Sequence, residues 1–390
     1  MPVSTRHHHF FPSLPRDYFR RRRVARRISN TIITLGLGVL TAYVITRQPA
    51  GGFSAPRGSL RNPPPAPAAL PGGSLPAPAV AAGYKLADGP LALSEVPDIV
   101  LHDAKRNKDL HLRVFYPTAA GPFPVIIFSH GAGGSQNCCD ALTRHWAAYG
   151  YVTLQPTHDD AISQRRDSGE SGVNLLSGVR DALKEPKFWE SRPADIRFLL
   201  DSLPALQTQL PALAGKLDIQ HVGVGGHSMG AFTADAIAGA LVDLPGHPAT
   251  NFADPRVRAV LLLSPQGPGE FGLTDHSWDH VALPLLSMTG SLDKAANGQG
   301  PDWKKIPFER SQPGDKYHVF ISGANHMSFI SARTLLPGRA AQGEMILAYT
   351  NSAALAFWDA YLKADDQAKA YLRSDALPLF SNHAVTLDCR

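Results

Sequence analysis

The stretch that most constrains the fold occupies residues 221–239, HVGVGGHSMGAFTADAIAG. Its first half alternates valine with glycine, as a buried strand with close neighbours does. Residues 231–240 are rich in alanine, with apolar side chains at helical spacing. The turn between them, residues 226–230, reads GHSMG and matches G-x-S-x-G. A serine on a sharp strand-to-helix turn projects its hydroxyl clear of the sheet, so the pattern predicts a nucleophile at Ser228.

Strand and helix patterns alternate along the rest of the chain. Strands are predicted at residues 98–103, 109–117, 124–130, 151–156, 257–265, 283–290 and 316–323, and helices at residues 141–149, 193–203 and 344–362. Residues 160–191 are predicted to be polar and irregular, and Pro193 is predicted in the first turn of its helix. This alternation predicts an α/β fold whose mostly parallel sheet is covered by helices on both faces. Ligands of such sheets bind at the carboxyl ends of the strands.

The excess of basic over acidic residues lies in the N-terminal part of the chain. The formal net charge is +5, yet residues 1–61 hold eleven arginines and a single acid, while residues 62–390 hold 27 basic and 32 acidic side chains. A mildly acidic body is a poor match for a polyanion, so the charge pattern argues against nucleic acid as a partner of the body.

Composition divides the chain into four segments. Residues 1–27 are predicted to be a basic cytoplasmic tail, and residues 28–46 an uncharged apolar segment about as long as a membrane span. Residues 47–90, rich in proline, alanine and glycine, are predicted to be a semi-extended linker. Residues 91–390 form the predicted catalytic domain.

The apolar segment at residues 28–46 has three interpretations. As an uncleaved anchor it would hold the catalytic domain outside the cytoplasm, and as a cleaved signal it would leave that domain secreted or periplasmic. It could also belong to a disordered basic extension. The anchor is favoured because no convincing small-residue cleavage site follows closely.

A serine nucleophile needs a base, and the base needs an orienting acid. On a strand-turn-helix framework of this kind, the chain order is serine, acid, histidine. Asp293 follows the strand at residues 283–290 and His326 follows the strand at residues 316–323, which predicts a triad of Ser228, Asp293 and His326. Rival residues remain for the acid (Asp275, Asp279) and for the base (His276, His280, His318).

An oxyanion needs two preorganised N–H donors. The Met229 N–H at the start of the helix is predicted to be one of them. The second is predicted in the glycine-rich run SHGAGG at residues 129–134, with the Ala132 N–H preferred over that of Gly131. Glycines there let the backbone approach a substrate closely.

Three further side chains are candidates for substrate binding, namely His130, Trp189 and Trp278. The alternatives are that His130 holds loop geometry and that both tryptophans make ordinary packing contacts. Residues 158–160, HDD, are interpreted as loop-fixing hydrogen-bonding groups because no spaced set of partner ligands accompanies them. No metal and no organic cofactor is predicted.

The chain has three cysteines, Cys138, Cys139 and Cys389. They are too few for a disulfide framework and lack metal-site spacing. Two alternatives stay open: Cys389 pairs with one of the adjacent cysteines, or all three are unpaired.

The quoted motifs resemble a known family. FSHGAGGSQNCCDALTRHWAAYGYVTLQPTHDD, LDIQHVGVGGHSMGAFTA, TGSLD and GANHMSF resemble α/β-hydrolases of the platelet-activating-factor acetylhydrolase and predicted dienelactone-hydrolase kind over about residues 97–362. Cutinase-type polyester hydrolases are more distantly similar. The resemblance implies an α/β-hydrolase fold and a cofactor-free serine hydrolase of esters. It implies Ser228 as the nucleophile, His326 as the base and the Met229 N–H in the oxyanion hole.

Two departures from this family pattern matter. Dienelactone hydrolases use a cysteine nucleophile, whereas the turn here carries Ser228. The acetylhydrolases place their acid after the preceding strand, which here ends in SPQGPG with no carboxylate before Glu270. The polyester-hydrolase pattern therefore fits Asp293 better.

The function predicted from these residues is hydrolysis of carboxylic esters (lipid, acetyl or other small esters) through an acyl-enzyme. Acyl transfer or amide hydrolysis on the same triad is an alternative. An alternative of another class is a catalytically inactive binding module with the hydrolase fold. The particular ester and the oligomeric state stay open.

Overall fold

The computed structural model of the protein describes residues 83–331, apart from residues 168 and 170–172, together with residues 340–390. The predicted tail, apolar segment and most of the predicted linker lie outside these described residues. Within them, no helix is both long and apolar enough to cross a membrane.

The described residues form one large mixed sheet and one small antiparallel sheet. The strands are β1 (Leu93–Asp103), β2 (Lys108–Pro117), β3 (Phe123–Ser129), β4 (Val152–Thr157), β5 (Leu217–His227), β6 (Val242–Leu244), β7 (His247–Thr250), β8 (Val257–Leu263), β9 (Leu285–Leu292), β10 (Lys316–Asn325) and β11 (Val385–Cys389). The large sheet has nine strands in the order β1-β2-β4-β3-β5-β8-β9-β10-β11, and β6 pairs with β7. Neighbouring strands from β4 to β10 are parallel. β1, β2 and β11 are antiparallel to their neighbours. The predicted α/β class and mostly parallel sheet are thereby confirmed.

Helices cover both faces of this sheet. They are α1 (Asp140–Ala148), α2 (Ile162–Asp167), α3 (Val173–Ala182), α4 (Pro186–Gln209), α5 (Met229–Ala238), α6 (Pro301–Arg310), α7 (Ala340–Leu362), α8 (Asp366–Leu372) and α9 (Ala376–Phe380). Successive side chains of a strand point to opposite faces. In β3, Ile127 joins a core with Phe232 of α5, whereas Ile126 joins a second core with Trp146 of α1 and Trp358 of α7.

One stretch of the predicted secondary structure is wrong. Residues 160–191 are largely helical, because they include α2, α3 and the start of α4. The proline in the first turn of α4 is Pro186, while Pro193 and Pro204 lie inside the helix. Tertiary packing outweighs the helix-breaking tendency of these prolines, since α4 buries an apolar face that includes Leu199.

The last residues of the predicted linker contact the folded body. The Tyr84 hydroxyl donates to the Asp359 carboxylate of α7 (2.9 Å), and the Lys85 ammonium lies 2.6 Å from the same carboxylate. The buried Tyr151 hydroxyl also donates to Asp359 (2.7 Å). These contacts attach the start of the described chain to the C-terminal part of α7.

All three cysteines are free in the structure. The sulfur atoms of Cys138 and Cys139 lie 2.8 Å apart just before α1, and Cys389 is exposed at the end of β11. No disulfide therefore links the C-terminus to the loop that precedes α1.

A buried carboxyl in α5 makes stability depend on pH. The Trp278 Nε1–H donates to Asp235 Oδ2 (2.6 Å), while Asp235 Oδ1 has no hydrogen-bond partner. Burial raises the pKa of Asp235 from 3.8 to about 7, although the Trp278 hydrogen bond opposes that shift. The unfolded chain therefore loses this proton at lower pH than the folded chain does, so Asp235 destabilises the fold progressively as pH rises between those two values.

Replacing Asp235 with asparagine is expected to remove this destabilisation. The Asp235→Asn variant keeps an acceptor for Trp278 but carries no charge. Its free energy of unfolding, relative to the native chain, should rise by about 2–4 kcal/mol between about pH 4 and about pH 8. Denaturant unfolding of both proteins at the two pH values measures the change. An unfolding difference that does not vary with pH would contradict the assignment.

Candidate active site

The strand β5 passes into the helix α5 at Ser228, whose backbone has φ 56° and ψ −122°. A positive φ is unusual for a residue other than glycine and marks a strained turn. A Cβ atom at Gly226 would lie 2.1 Å from the Gly230 carbonyl oxygen, and one at Gly230 would lie 2.0 Å from the Ser129 carbonyl oxygen. The turn therefore needs glycine on both sides of the serine, which explains the G-x-S-x-G spacing.

His326 and Asp293 form a hydrogen-bonded pair at the ends of β10 and β9. His326 Nδ1 lies 3.1 Å from Asp293 Oδ1. The Asp293 side chain is fully buried, whereas 32% of the His326 side chain is exposed. Burial would raise the pKa of Asp293, but the hydrogen bond from His326 and the charge of Lys304 outweigh it and lower that pKa to about 2. Asp293 is therefore ionised and able to hold a protonated imidazole.

The loop that carries His326 packs against the residue before the serine. The His227 Nε2–H donates to the His326 carbonyl oxygen (2.6 Å), and the two imidazole rings lie 4.7 Å apart. Burial and the nearby His326 lower the pKa of His227 to about 3, so its ring is neutral near pH 7. His227 thus connects the serine turn to the His326 loop, and Ser228, Asp293 and His326 lie at the same edge of the sheet.

The rival acids and bases have other surroundings. Asp275 forms an ion pair with an arginine of α6, and the exposed His276 pairs with Asp279. His280 is exposed, while His318 is buried within β10. The Asp293–His326 pair differs from the His276–Asp279 pair in having a fully buried carboxylate and in lying at the ends of the parallel strands β9 and β10.

The loop after β3 runs beside the serine, where the second oxyanion donor is predicted. A Cβ atom at Gly131 would lie 3.4 Å from the Ser228 Cβ and 3.2 Å from His227 Nδ1. Met229 is the first residue of α5, and the first N–H groups of a helix have no partner within it. The backbone of Gly131 and Ala132 and the start of α5 therefore border the same space as Ser228.

A second Ser–His–Asp chain lies beneath this loop and was missed in the sequence. The Ser129 hydroxyl is 2.9 Å from His158 Nε2, and His158 Nδ1 is 2.8 Å from Asp195 Oδ2. The pairing has the connectivity of a serine-hydrolase triad. All three side chains have no exposed surface, however, so a substrate cannot reach them in this conformation.

A buried arginine supports the same loop. Arg192 of α4 binds the Asp160 carboxylate through Nε (2.9 Å) and Nη2 (2.8 Å). It also donates to the carbonyl oxygens of His130 (2.7 Å) and Gly131 (3.4 Å). Burial would raise the pKa of Asp160, but Arg192 lowers it far below its usual range. An ion pair thus holds the loop carbonyls, which fixes the direction of the loop's peptide groups.

The predicted substrate-binding side chains have structural contacts. His130 is buried, its Nε2 accepts from the His158 backbone N–H, and its Nδ1–H donates to the Gly131 carbonyl. Burial and the charge of Arg192 lower the pKa of His130 to about 4. These contacts favour the loop-holding alternative, in which His130 stays neutral.

The two tryptophans differ in their exposure. Trp278 is fully buried and donates to Asp235, so it belongs to the core, and the prediction that it walls a substrate pocket does not fit this placement. Trp189 is partly exposed, donates to the Leu183 carbonyl and packs 6.2 Å from the Phe271 ring. Trp189 therefore still has surface that a substrate could contact.

The mostly parallel sheet, the serine on a strained strand-to-helix turn and the His–Asp pair at neighbouring strand ends are features of α/β-hydrolases. Residues 100–166 match the family described as platelet-activating factor acetylhydrolase, isoform II. The resemblance predicted from the motifs is thereby confirmed for this segment of the chain, which is similar to that family.

A curated relative has a similar description. A putative phospholipase A2 from Schizosaccharomyces pombe (strain 972 / ATCC 24843) is 33% identical over 98 residues, which are 25% of this chain and 20% of the relative. The chain thus spans about a fifth of the length of that relative. The family match includes the loop after β3, Ser129 and His158, whereas Ser228, Asp293 and His326 lie beyond its last residue, 166.

Proposed function

We propose that the protein is a serine esterase that cleaves carboxylic esters through an acyl-enzyme on Ser228. The observation that carries the proposal is the accessible nucleophile turn. Ser228 is partly exposed on this strained turn, and the residue before it, His227, contacts the loop of the partly exposed His326. The His326–Asp293 pair supplies a base with an orienting carboxylate.

In the proposed reaction, His326 takes the proton of the Ser228 hydroxyl as its oxygen attacks the ester carbonyl. Asp293 stabilises the imidazolium that forms. The oxyanion accepts hydrogen bonds from the N–H groups of Met229 and Ala132. His326 then protonates the departing alcohol. In the second half of the cycle, His326 activates water, which releases the acid and restores the Ser228 hydroxyl.

Burial decides between the two Ser–His–Asp chains. Ser129 shares its hydroxyl with His158 and with an N–H of Arg192 (3.3 Å), and no part of its side chain is exposed. A nucleophile in that position would need the Arg192–Asp160 ion pair to open before any ester could approach. We therefore assign catalysis to Ser228 and loop support to Ser129.

Similarity to two described relatives supports the choice of substrate class. The matched family is described as an acetylhydrolase of platelet-activating factor, and the curated relative as a putative phospholipase A2. Both descriptions favour a lipid or acetyl ester as the substrate. The role of residues 28–46 as a membrane anchor, with the enzyme outside the cytoplasm, stays a proposal that rests on the sequence.

Esters with a chromogenic leaving group test the proposed mechanism. The full chain, mixed rapidly with p-nitrophenyl acetate or butyrate, is expected to release a burst of about one p-nitrophenol per protein when deacylation limits turnover. Product analysis with added alcohols or amines then separates hydrolysis from acyl transfer. A folded protein that turns over no ester and shows no burst would contradict the proposal and favour the inactive binding module.

A further inference from the structure

A lysine is buried directly behind the proposed acid. Lys304 of α6 has no exposed side-chain surface, and its ammonium nitrogen lies 3.6 Å from Asp293 Oδ1. It donates to the Ser264 hydroxyl (3.0 Å) and to the Pro265 carbonyl oxygen (3.2 Å). Two hydrogen bonds and the charge of Asp293 thus hold the ammonium group in place. Burial lowers the pKa of Lys304, and the Asp293 carboxylate opposes that shift.

Ser264 connects this lysine to both proposed triad partners. It follows β8 with φ 54°, and its N–H donates to the Met288 carbonyl of β9. The Ser264 hydroxyl is 3.0 Å from Asp293 Oδ1 and 2.8 Å from His326 Nδ1. Because the hydroxyl has one hydrogen, which it donates to Asp293, its oxygen accepts from the His326 Nδ1–H, which is shared between the Ser264 hydroxyl and Asp293 Oδ1. The contacts therefore keep the proton on Nδ1 and leave Nε2 free as the base.

We propose that Lys304 and Ser264 are positioning residues of the esterase. They hold Asp293 and His326 in their hydrogen-bonded arrangement, and Lys304 offsets part of the negative charge of the Asp293 carboxylate. The inference rests on the proposed function of Ser228, Asp293 and His326. Nothing in the serine motif or in the chain order of the triad requires a cation on α6.

The charges around His326 predict the direction of the effect. Asp293 faces it from the end of β9, Lys304 lies behind that carboxylate on α6, and the neighbouring His227 of β5 is neutral. Opposite charges a few ångströms apart in a buried site interact strongly. Lys304 thus weakens the stabilisation that Asp293 gives to the imidazolium. Without the ammonium, Asp293 would stabilise the imidazolium more strongly.

The Lys304→Met variant of the full chain tests the inference through its pH profile. We expect kcat/KM at the optimum to fall about 10–100-fold, and the acid limb of the profile to move upward by about half a pH unit or more. Thermal unfolding and far-UV circular dichroism establish that the variant is folded. A lysine with only a structural role would change stability and leave the acid limb in place, and that result would overturn the inference.

If Lys304→Met does not fold, a double-mutant cycle between Ser264 and Asp293 tests the same inference. The Ser264→Ala variant retains the cation and is expected to lose about tenfold in kcat with little change in KM. In an Asp293→Asn background, the Ser264→Ala substitution should lower kcat almost no further. Equal losses in both backgrounds would overturn the inference.

The activity of the Asp293→Asn variant distinguishes a failure of the proposed function from a failure of the positioning role. The proposed triad predicts that it loses about 10³–10⁴-fold in kcat. Native activity in that variant would refute Asp293 as the acid, and with it the proposed function of this site. A loss there, together with an unmoved acid limb in Lys304→Met and additive effects of Ser264→Ala, would refute only the positioning role.

Discussion

Replacing Ser228 with alanine is expected to lower kcat/KM for p-nitrophenyl esters by at least about 10³-fold, because the variant has no hydroxyl to form the acyl-enzyme. The fold should tolerate the change, since alanine is smaller than serine and the strained turn is set by the glycines on either side. Steady-state kinetics of the native and variant chains measure the loss, and thermal unfolding shows that both are folded.

The matched control is Ser129→Ala, which removes the other serine hydroxyl that contacts a histidine. It is expected to keep kcat/KM within about tenfold of the native value, and to lose about 1–3 kcal/mol of stability because His158 and Arg192 lose a buried partner. Full activity in Ser228→Ala, combined with an inactive but folded Ser129→Ala, would contradict the assignment. It would identify Ser129, in the buried Ser129–His158–Asp195 arrangement, as the nucleophile.

Replacing Arg192 with methionine is the second change with a large expected effect. Arg192 is the buried cation that neutralises Asp160 and binds the carbonyls of the loop beside Ser228. Removing one partner of a buried ion pair leaves the other charge unpaired, at a cost of about 3–5 kcal/mol. Urea unfolding of Arg192→Met measures this loss. The activity of the folded fraction should also fall, because Ala132, the proposed second oxyanion donor, lies on the loop that Arg192 holds.

The control for that experiment also removes the charge of Asp160, which Arg192→Met leaves buried without a partner. The double variant Arg192→Met with Asp160→Asn is expected to be more stable than Arg192→Met alone, since no ionised carboxylate is left buried without a partner. Activity should stay low in both, because neither variant restores the donors to the His130 and Gly131 carbonyls. An Arg192→Met protein as stable as the native chain would show that the ion pair does not support the fold.

The parts of the fold that could be predicted from the sequence are determined by residues that lie close together along the chain. The G-x-S-x-G turn records a steric requirement that acts within five residues, so its position between β5 and α5 could be predicted. Asp293 and His326 were predicted because each follows a strong strand pattern at the edge where parallel strands end. Their mutual hydrogen bond then follows from the order of the strands in the sheet.

The parts that were missed depend on long-range pairing. Within residues 160–191, the charge of Asp160 pairs with the buried Arg192, and periodicity cannot distinguish such a charge from one exposed to solvent. Arg192, Asp195 and Lys304 each find their partners on other elements, far away in the sequence. A basic or acidic residue within an otherwise apolar helix face was the available signal. It does not identify the partner, so the Ser129–His158–Asp195 chain could not be predicted.

Covalent labelling of the nucleophile distinguishes Ser228 from every other serine of the protein. The native full chain is treated with a fluorophosphonate probe, digested and mapped by mass spectrometry. We expect one adduct per protein, on the peptide that contains Ser228, and no adduct in the folded Ser228→Ala variant. An adduct on Ser129, or ester turnover by a protein that the probe does not label, would contradict that expectation.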